Sequence, residues 1–238
     1  MNLRKWVGAW IVVFAIAGLV SAQTDSAAGR LAIKRGNEKF AKQEYEAALK
    51  QYQLVPENAG ENYAQALYNI GVCHYELWRT GEAIKYYDMA IVAREGRYPK
   101  AWYALGIALE DSGRFVAAKE AYQHIINDSN GMFGPAHYRL GLLKAKDGDH
   151  FAAAKLFEEA IAETQGDFPA SHNNLGVMLA RAGQLVEAER EFKIAIQQSN
   201  GQLEDANSNL KLCRELMSKT IRADIASLQL TQERTVPE

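Results

Sequence analysis

The chain has 238 residues, 24% charged and 48% hydrophobic, with a formal net charge of −2. That balance supplies no basic field for nucleic acid, and the apolar content is that of an ordered chain, not a disordered one. Five prolines are few enough to favour helices over a loop-rich fold.

Residues 1–22 read as an export signal or an N-terminal membrane anchor. Arg4 and Lys5 precede an uncharged apolar run from Trp6 to Val20, and Val20-Ser21-Ala22 sets modest side chains ahead of Gln23, as a cleavage site requires. The run is shorter than the ~20 residues of a full span, although Trp6 and Trp10 are of the kind that seats one end at an interface. No cysteine follows the run, so lipoprotein processing is not supported. Under either reading Arg4 and Lys5 stay inside, so the rest of the chain is expected outside the cytoplasmic membrane, periplasmic or secreted. Membrane contact is then expected only through residues 1–22, with residues 23–28 as a short linker.

From there a 35-residue period governs the sequence. Gly36, Gly71, Gly106, Gly141 and Gly176 form one register, and Ala48, Ala83, Ala118, Ala153 and Ala188 a second. Tyr52, Tyr87, Tyr122, Phe157 and Phe192 form a third; Val55, Ala90, Ile125, Ala160 and Ala195 a fourth. Glycine in a first helix and alanine in a second let the two helices approach closely, offsetting a helix penalty of about 1 kcal/mol for glycine. The aromatic one turn after the alanine is expected to fill space between hairpins. One hairpin cannot bury its apolar face alone, so neighbours must stack.

The third copy, Ala101-Trp102-Tyr103-Ala104-Leu105-Gly106 onward to Gly113, Phe115, Ala118 and Tyr122, resembles a near-consensus tetratricopeptide repeat. The resemblance covers residues 29–203 and implies an all-α fold, a right-handed α-solenoid of five helical hairpins. The step of 35 exceeds the family's usual 34, and the extra residue falls between hairpins, at Gly96-Arg97-Tyr98-Pro99, Gly131-Met132-Phe133, Gly166-Asp167-Phe168-Pro169 and Gly201-Gln202-Leu203. Glycine suits the left-handed residue that ends a helix, and proline the start of the next. Tyr63, Tyr98, Phe133, Phe168 and Leu203 then form a ladder that staples the loops. Residues 204–222 are expected to form a capping helix over the last hairpin, with Ala206, Leu210, Cys213 and Met217 at helical spacing. Residues 223–238 are expected to be a frayed or disordered tail.

The resemblance also implies a concave groove lined by first-helix positions 2, 5, 6, 9, 12 and 13, counting each glycine above as position 8. Position 5 holds Tyr68, Tyr103, Tyr138 and Asn173; position 6 holds Asn69, Arg139 and Asn174. Position 9 holds Asn37 and then Val72, Ile107, Leu142 and Val177; position 2 holds Arg30, Gln65 and Lys100. The candidate partner-binding residues are therefore Asn37, Tyr68, Asn69, Lys100, Tyr103, Tyr138, Arg139, Asn173 and Asn174. Asparagine amides can pair with peptide groups, and tyrosine gives contact area at low entropy cost. The alternative is that the tyrosine rings pack against the next first helix and only their hydroxyls meet water.

The first three hairpins partly resemble the carboxylate-clamp repeats of heat-shock co-chaperones, at Arg35-Gly36-Asn37, Asn69 and Lys100. They depart from that pattern at Ile33 and Ala104, which stand where the family has cations, and so lack most of the charge-assisted hydrogen bonds of a clamp.

Catalysis finds no support in the residue inventory. The five histidines, His74, His124, His137, His150 and His172, include no pair at i, i+4 and no zinc motif. His137 and His172 share the register of Trp102, a packing position. No phosphate loop and no nucleophile elbow is present. Cys73 and Cys213 lie four repeat lengths apart and read as small buried residues, not as a disulfide. The expectation is a non-enzymatic scaffold without cofactor or metal, binding a protein or peptide in its groove. The alternative is an envelope assembly factor acting through its convex face or ends. The sequence sets no oligomeric state.

Overall fold

The computed structural model describes residues 27–128, 133–218 and 228–231. The expected export segment, 1–22, lies outside them, as do Gly131 and Met132 of one junction and residues 219–222 of the expected capping helix. The apolar periodicity of the described chain is helical, and its regular structure is all helix. Helix α1 covers residues 27–40. It is followed by α2 (Tyr45–Tyr52), a 3-10 turn (Glu57–Ala59), α3 (Glu61–Glu76) and α4 (Thr80–Ala93). Next come α5 (Pro99–Asp111), α6 (Phe115–Asp128), α7 (Gly134–Lys146) and α8 (His150–Glu163). The series ends with α9 (Pro169–Arg181), α10 (Leu185–Gln198) and α11 (Glu204–Ser218). The helices group into two compact units, one ending at Arg114 and the other beginning at Phe115.

Within each unit, consecutive helices pair through one recurring contact. The glycine of a first helix faces the aromatic ring of the second helix of its own hairpin. A Cβ on Gly71 would stand 2.6 Å from Cδ1 and Cε1 of Tyr87, and one on Gly36 would stand 2.3 Å from Cε1 of Tyr52. Gly141 meets Phe157 at 2.8 Å and Gly176 meets Phe192 at 2.6 Å in the same way. The aromatic register was expected to fill space between hairpins; its ring is instead seated on the bare backbone inside a hairpin. Ala48, Ala83, Ala153 and Ala188, one turn earlier, are completely buried and keep the second helix close.

Two kinds of left-handed residue close the helices. At the junctions between hairpins two left-handed residues occur in succession: Glu95 and Gly96, Gln165 and Gly166, Asn200 and Gly201. The Gly96, Gly166 and Gly201 N–H groups then donate to the carbonyls of Ile91, Ile161 and Ile196 at 2.8–2.9 Å, the six-to-one closure of a Schellman ending. At the turn inside each hairpin the left-handed residue is Gly113, Gly148 or Gly183, but Gln43 and Trp78 in the first two copies. A left-handed conformation costs a side-chain-bearing residue about 1 kcal/mol, and Trp78, 84% exposed, recovers little of that by burial.

The loop aromatics behave as staples. Tyr98 packs on Tyr68 with centroids 5.6 Å apart, and Phe168 on Tyr138 at 4.9 Å. Helix α11 covers α10 and the end of α9, burying Ala206, Cys213 and Leu216. Part of the tail expected to be frayed is ordered. Residues 228–231 lie against α7, α9 and α11, and Leu228 is 3% exposed within their core.

Gly71→Ala tests the ring-on-glycine contact. Alanine gains about 1 kcal/mol of helix propensity, yet its methyl overlaps the Tyr87 ring, and overpacking costs about 1–3 kcal/mol. Urea denaturation should show a net loss of stability for Gly71→Ala that Gly71→Ala/Tyr87→Leu partly restores.

Candidate peptide-binding groove

The first helices carry the residues singled out by the sequence, and each unit disposes of them differently. In the first unit Asn37 is tied down, its Oδ1 accepting from the Tyr52 hydroxyl at 2.7 Å and, at a long 3.4 Å, from Nδ2 of Asn69. Tyr68 is 9% exposed and sandwiched between Tyr87 and Tyr98. Burial pushes its hydroxyl up to about 12, so it stays a neutral donor. Tyr103 is completely buried. Asn69 is half-buried and Lys100 exposed, so these two present polar groups at the surface of the first unit. Ile33 and Ala104, at 6% and 4% exposure, are core residues, which leaves the clamp positions apolar.

In the second unit the predicted residues converge. Tyr138, Arg139, Asn173 and Asn174 are all at most 7% exposed. A buried amide without partners costs about 1–3 kcal/mol, and here the partners come from residues 229–231. Asn174 Nδ2 donates to the Thr231 carbonyl at 2.9 Å while its Oδ1 accepts from the Thr231 N–H at 2.7 Å. The Tyr138 hydroxyl donates to the same carbonyl at 2.6 Å. Asn173 Nδ2 donates to the Gln229 carbonyl at 3.2 Å and to the Thr231 hydroxyl at 3.0 Å. Tyr138, Asn173 and Asn174 thus act on polypeptide main chain.

Two groove residues escaped the sequence reading. Asn209 repeats the Asn174 geometry on Gln229, donating through Nδ2 to its carbonyl at 2.8 Å and accepting its N–H at 2.9 Å. Asp205 Oδ2 accepts from the Thr231 hydroxyl at 3.1 Å. Both lie on α11, which had been given only a covering role. The 35-residue step holds the signal: one further step from Asn174 lands on Asn209, and one from Ala170 on Asp205. Helix α11 is therefore placed as the first helix of a further copy. Asn209 Nδ2 also reaches Asn173 Oδ1 at 2.9 Å, linking the amides into one rail.

The remaining chemistry is structural. Nε1 of Trp102 donates to the Gly96 carbonyl at 2.8 Å, and Nε2 of His172 meets the Gly166 carbonyl at 3.0 Å. One register thus ties a ring to the junction glycine in two copies. Nδ1 of His172 also meets Glu191 at 2.7 Å. His137 lies 3.1 Å from Glu163 and 3.4 Å from Glu159; burial raises the Glu163 carboxyl against the lowering pull of that imidazole. Among the described residues no group of three or more His, Cys, Asp or Glu could hold a metal ion, and no helix is long and apolar enough to cross a membrane. Both cysteines are free and completely buried.

Models of the tetratricopeptide repeat match residues 27–98 and 138–202, more than half of the chain, and a second model of the same repeat matches 99–127. No curated protein matches. A MamA structure from Desulfovibrio magneticus is 18% identical, with a TM-score of 0.61, over 74% of this chain and 97% of its own. PilF of Pseudomonas aeruginosa is 14% identical, with a TM-score of 0.65, over 82% and 93%. YrrB, described as a TPR protein with an unusual peptide-binding site, is 21% identical, with a TM-score of 0.57, over 79% and 91%. At these identities the likeness is one of fold.

Burial beside Glu76 and Glu46 pushes the Cys73 thiol up to about 12, with burial the larger cause, and only a thiolate is a competent nucleophile. Folded protein at pH 8.5 should leave Cys73 unlabelled by a thiol-reactive dye over hours, and denaturant should expose it at once. Prompt labelling of the folded chain would contradict this burial.

Proposed function

The chain belongs to the tetratricopeptide-repeat family, and from that premise we propose that it is an extracytoplasmic scaffold that holds a partner protein by a peptide laid along its first-helix faces. The family fold supports a protein-protein interaction scaffold. The groove reading rests on one observation: at family groove positions of the second unit, Tyr138, Asn173 and Asn174 hydrogen-bond the main chain of a segment outside the repeats. Main-chain atoms are common to all peptides, so a surface that satisfies them here is competent for a partner segment. The peptide-binding site ascribed to YrrB is in keeping with this use of the fold. The extracytoplasmic setting rests on Arg4, Lys5, the apolar run to Val20 and Val20-Ser21-Ala22.

Cross-linking intact cells with a membrane-impermeant reagent, followed by affinity capture and mass spectrometry, tests groove and location together. Asn69→Ala/Lys100→Ala changes surface groups of the first unit without touching its core and should reduce recovery of the partner at least fivefold. Equal recovery would overturn groove binding there, and an absence of cross-links would overturn the extracytoplasmic setting.

A second reading, assembly of copies through the outer faces of the hairpins, has one observation in its favour. Val116, Phe151 and Val186 occupy one 35-residue register in the second unit at 68%, 86% and 72% exposure. Exposed apolar side chains in line are a mark of interaction surfaces. If this register joins copies, sedimentation velocity should show an oligomer that Phe151→Ser converts to monomer; a monomeric wild type at every concentration removes the basis for the reading.

A further inference from the structure

The order of Gln229 and Thr231 has a definite stereochemical cause. In each, one asparagine side chain pairs with both the N–H and the C=O of the same residue. Those two groups point the same way only when the residue is extended, as in the hydrogen-bonded pairs of an antiparallel ladder. Residues i and i+2 of an extended chain present these groups on the same side, and Asn209 and Asn174, one repeat apart, meet them there. Side-chain contacts add selectivity at three places. Leu228 is buried in the core built by α7 to α11, Leu230 packs half-buried against the same core, and the Thr231 hydroxyl sits between Asp205 as acceptor and Asn173 as donor. Gln229 is exposed and enters only through its backbone.

We propose that the second unit's groove is a site for an extended peptide of the pattern aliphatic–x–aliphatic–Thr or Ser, and that Leu228–Thr231 is its resident occupant in the same chain, which a partner segment of that pattern must displace. The inference rests on the groove reading above and adds to it a ligand chemistry and an autoinhibitory contact. Tethering makes the occupant effective. A segment linked through a short stretch of chain acts at an effective concentration on the order of 1 mM. If its untethered affinity is about 100 µM, the groove is open about one-tenth of the time, and an incoming peptide binds about tenfold more weakly than to an open groove.

The probe is a fluorescent synthetic peptide with the sequence of residues 226–233, titrated against the full chain. Thr231→Pro in the protein removes the N–H that Asn174 accepts and releases the resident segment. This variant should bind the probe about tenfold more tightly than wild type. Probes carrying Thr231→Val or Leu228→Asp should lose at least tenfold against it. Equal affinity for wild type and variant, or no binding to the variant, would overturn the proposal. So would indifference to both probe changes.

A second measurement leaves the fold untouched. Amide exchange at Gln229 and Thr231 in the wild-type chain should be at least tenfold slower than in the free peptide, and exchange at the free-peptide rate would count against occupancy. An oligomer that Thr231→Pro converts to monomer would show the segment exchanged between copies and overturn the intramolecular contact. None of these readouts depends on a cellular partner. Their failure therefore leaves the cross-linking result at Asn69 and Lys100 standing, and the reverse also holds.

Discussion

The seating of an aromatic ring on a glycine backbone is the constraint on which the rest of the fold depends. Helices pack at about 8–10 Å depending on the side chains between them, and a glycine in the first helix leaves bare backbone for the second helix to approach. The ring then fills the space a Cβ would occupy, as Tyr87 does over Gly71 and Phe192 over Gly176. Because the contact recurs in both hairpins of each unit, at Gly36 and Gly71 and at Gly141 and Gly176, the first helices of a unit repeat their orientation, and side chains at equivalent positions come into line. A row of asparagines is an outcome of that regularity. Had any hairpin opened differently, Asn174 and Asn209 would not meet residues two apart in one strand.

That spacing explains the division of labour in the groove. Apolar positions such as Leu142 and Val177 form a floor, buried at 8% and 0% exposure, and supply non-directional burial. The amides above them supply direction. An asparagine side chain carries one carbonyl and one NH2 group, the complement of a residue's N–H and C=O, so it can hold a strand without consulting its side chains. Each such bond is worth only about 1 kcal/mol net. The set matters because burial without partners would cost more than the bonds return, which makes the groove a place where chain is either held at several points or replaced by water.

Legibility in the sequence followed the same physics. The hairpins, their 35-residue step and the junction glycines were readable because each copy repeats a choice forced by close approach or by a left-handed backbone. The paired left-handed residues Glu95–Gly96, Gln165–Gly166 and Asn200–Gly201 were half-readable: the glycine announced itself, but its neighbour had no compositional mark. The target of the aromatic register was not readable, since Tyr87 seats on Gly71 sixteen positions earlier and periodicity alone does not say which face it meets. Tyr68 and Tyr103 were placed on the groove by position, but burial decides their role, and their rings belong to the packing. The order of residues 228–231 had no sequence signal, because Leu-Gln-Leu-Thr carries no mark of its own and acquires structure only from the amides it meets.

Asn209 and Asp205 show where a repeat should be thought to end. A capping helix is defined by its outer face, yet its inner face meets the preceding hairpin just as a first helix would, and selection for groove chemistry can act on it equally. Helix α11 has lost the glycine of its register, with Lys211 in its place, and no second helix seats a ring on it among the described residues. It has kept the groove position, Asn209. The packing register and the amide register thus part at α11: Lys211 ends the glycine series, while Asn209 continues the asparagine series that meets the main chain of Gln229. In a tandem array, the first-helix registers should therefore be traced one step past the last hairpin, where Asn209 and Asp205 meet the segment 228–231.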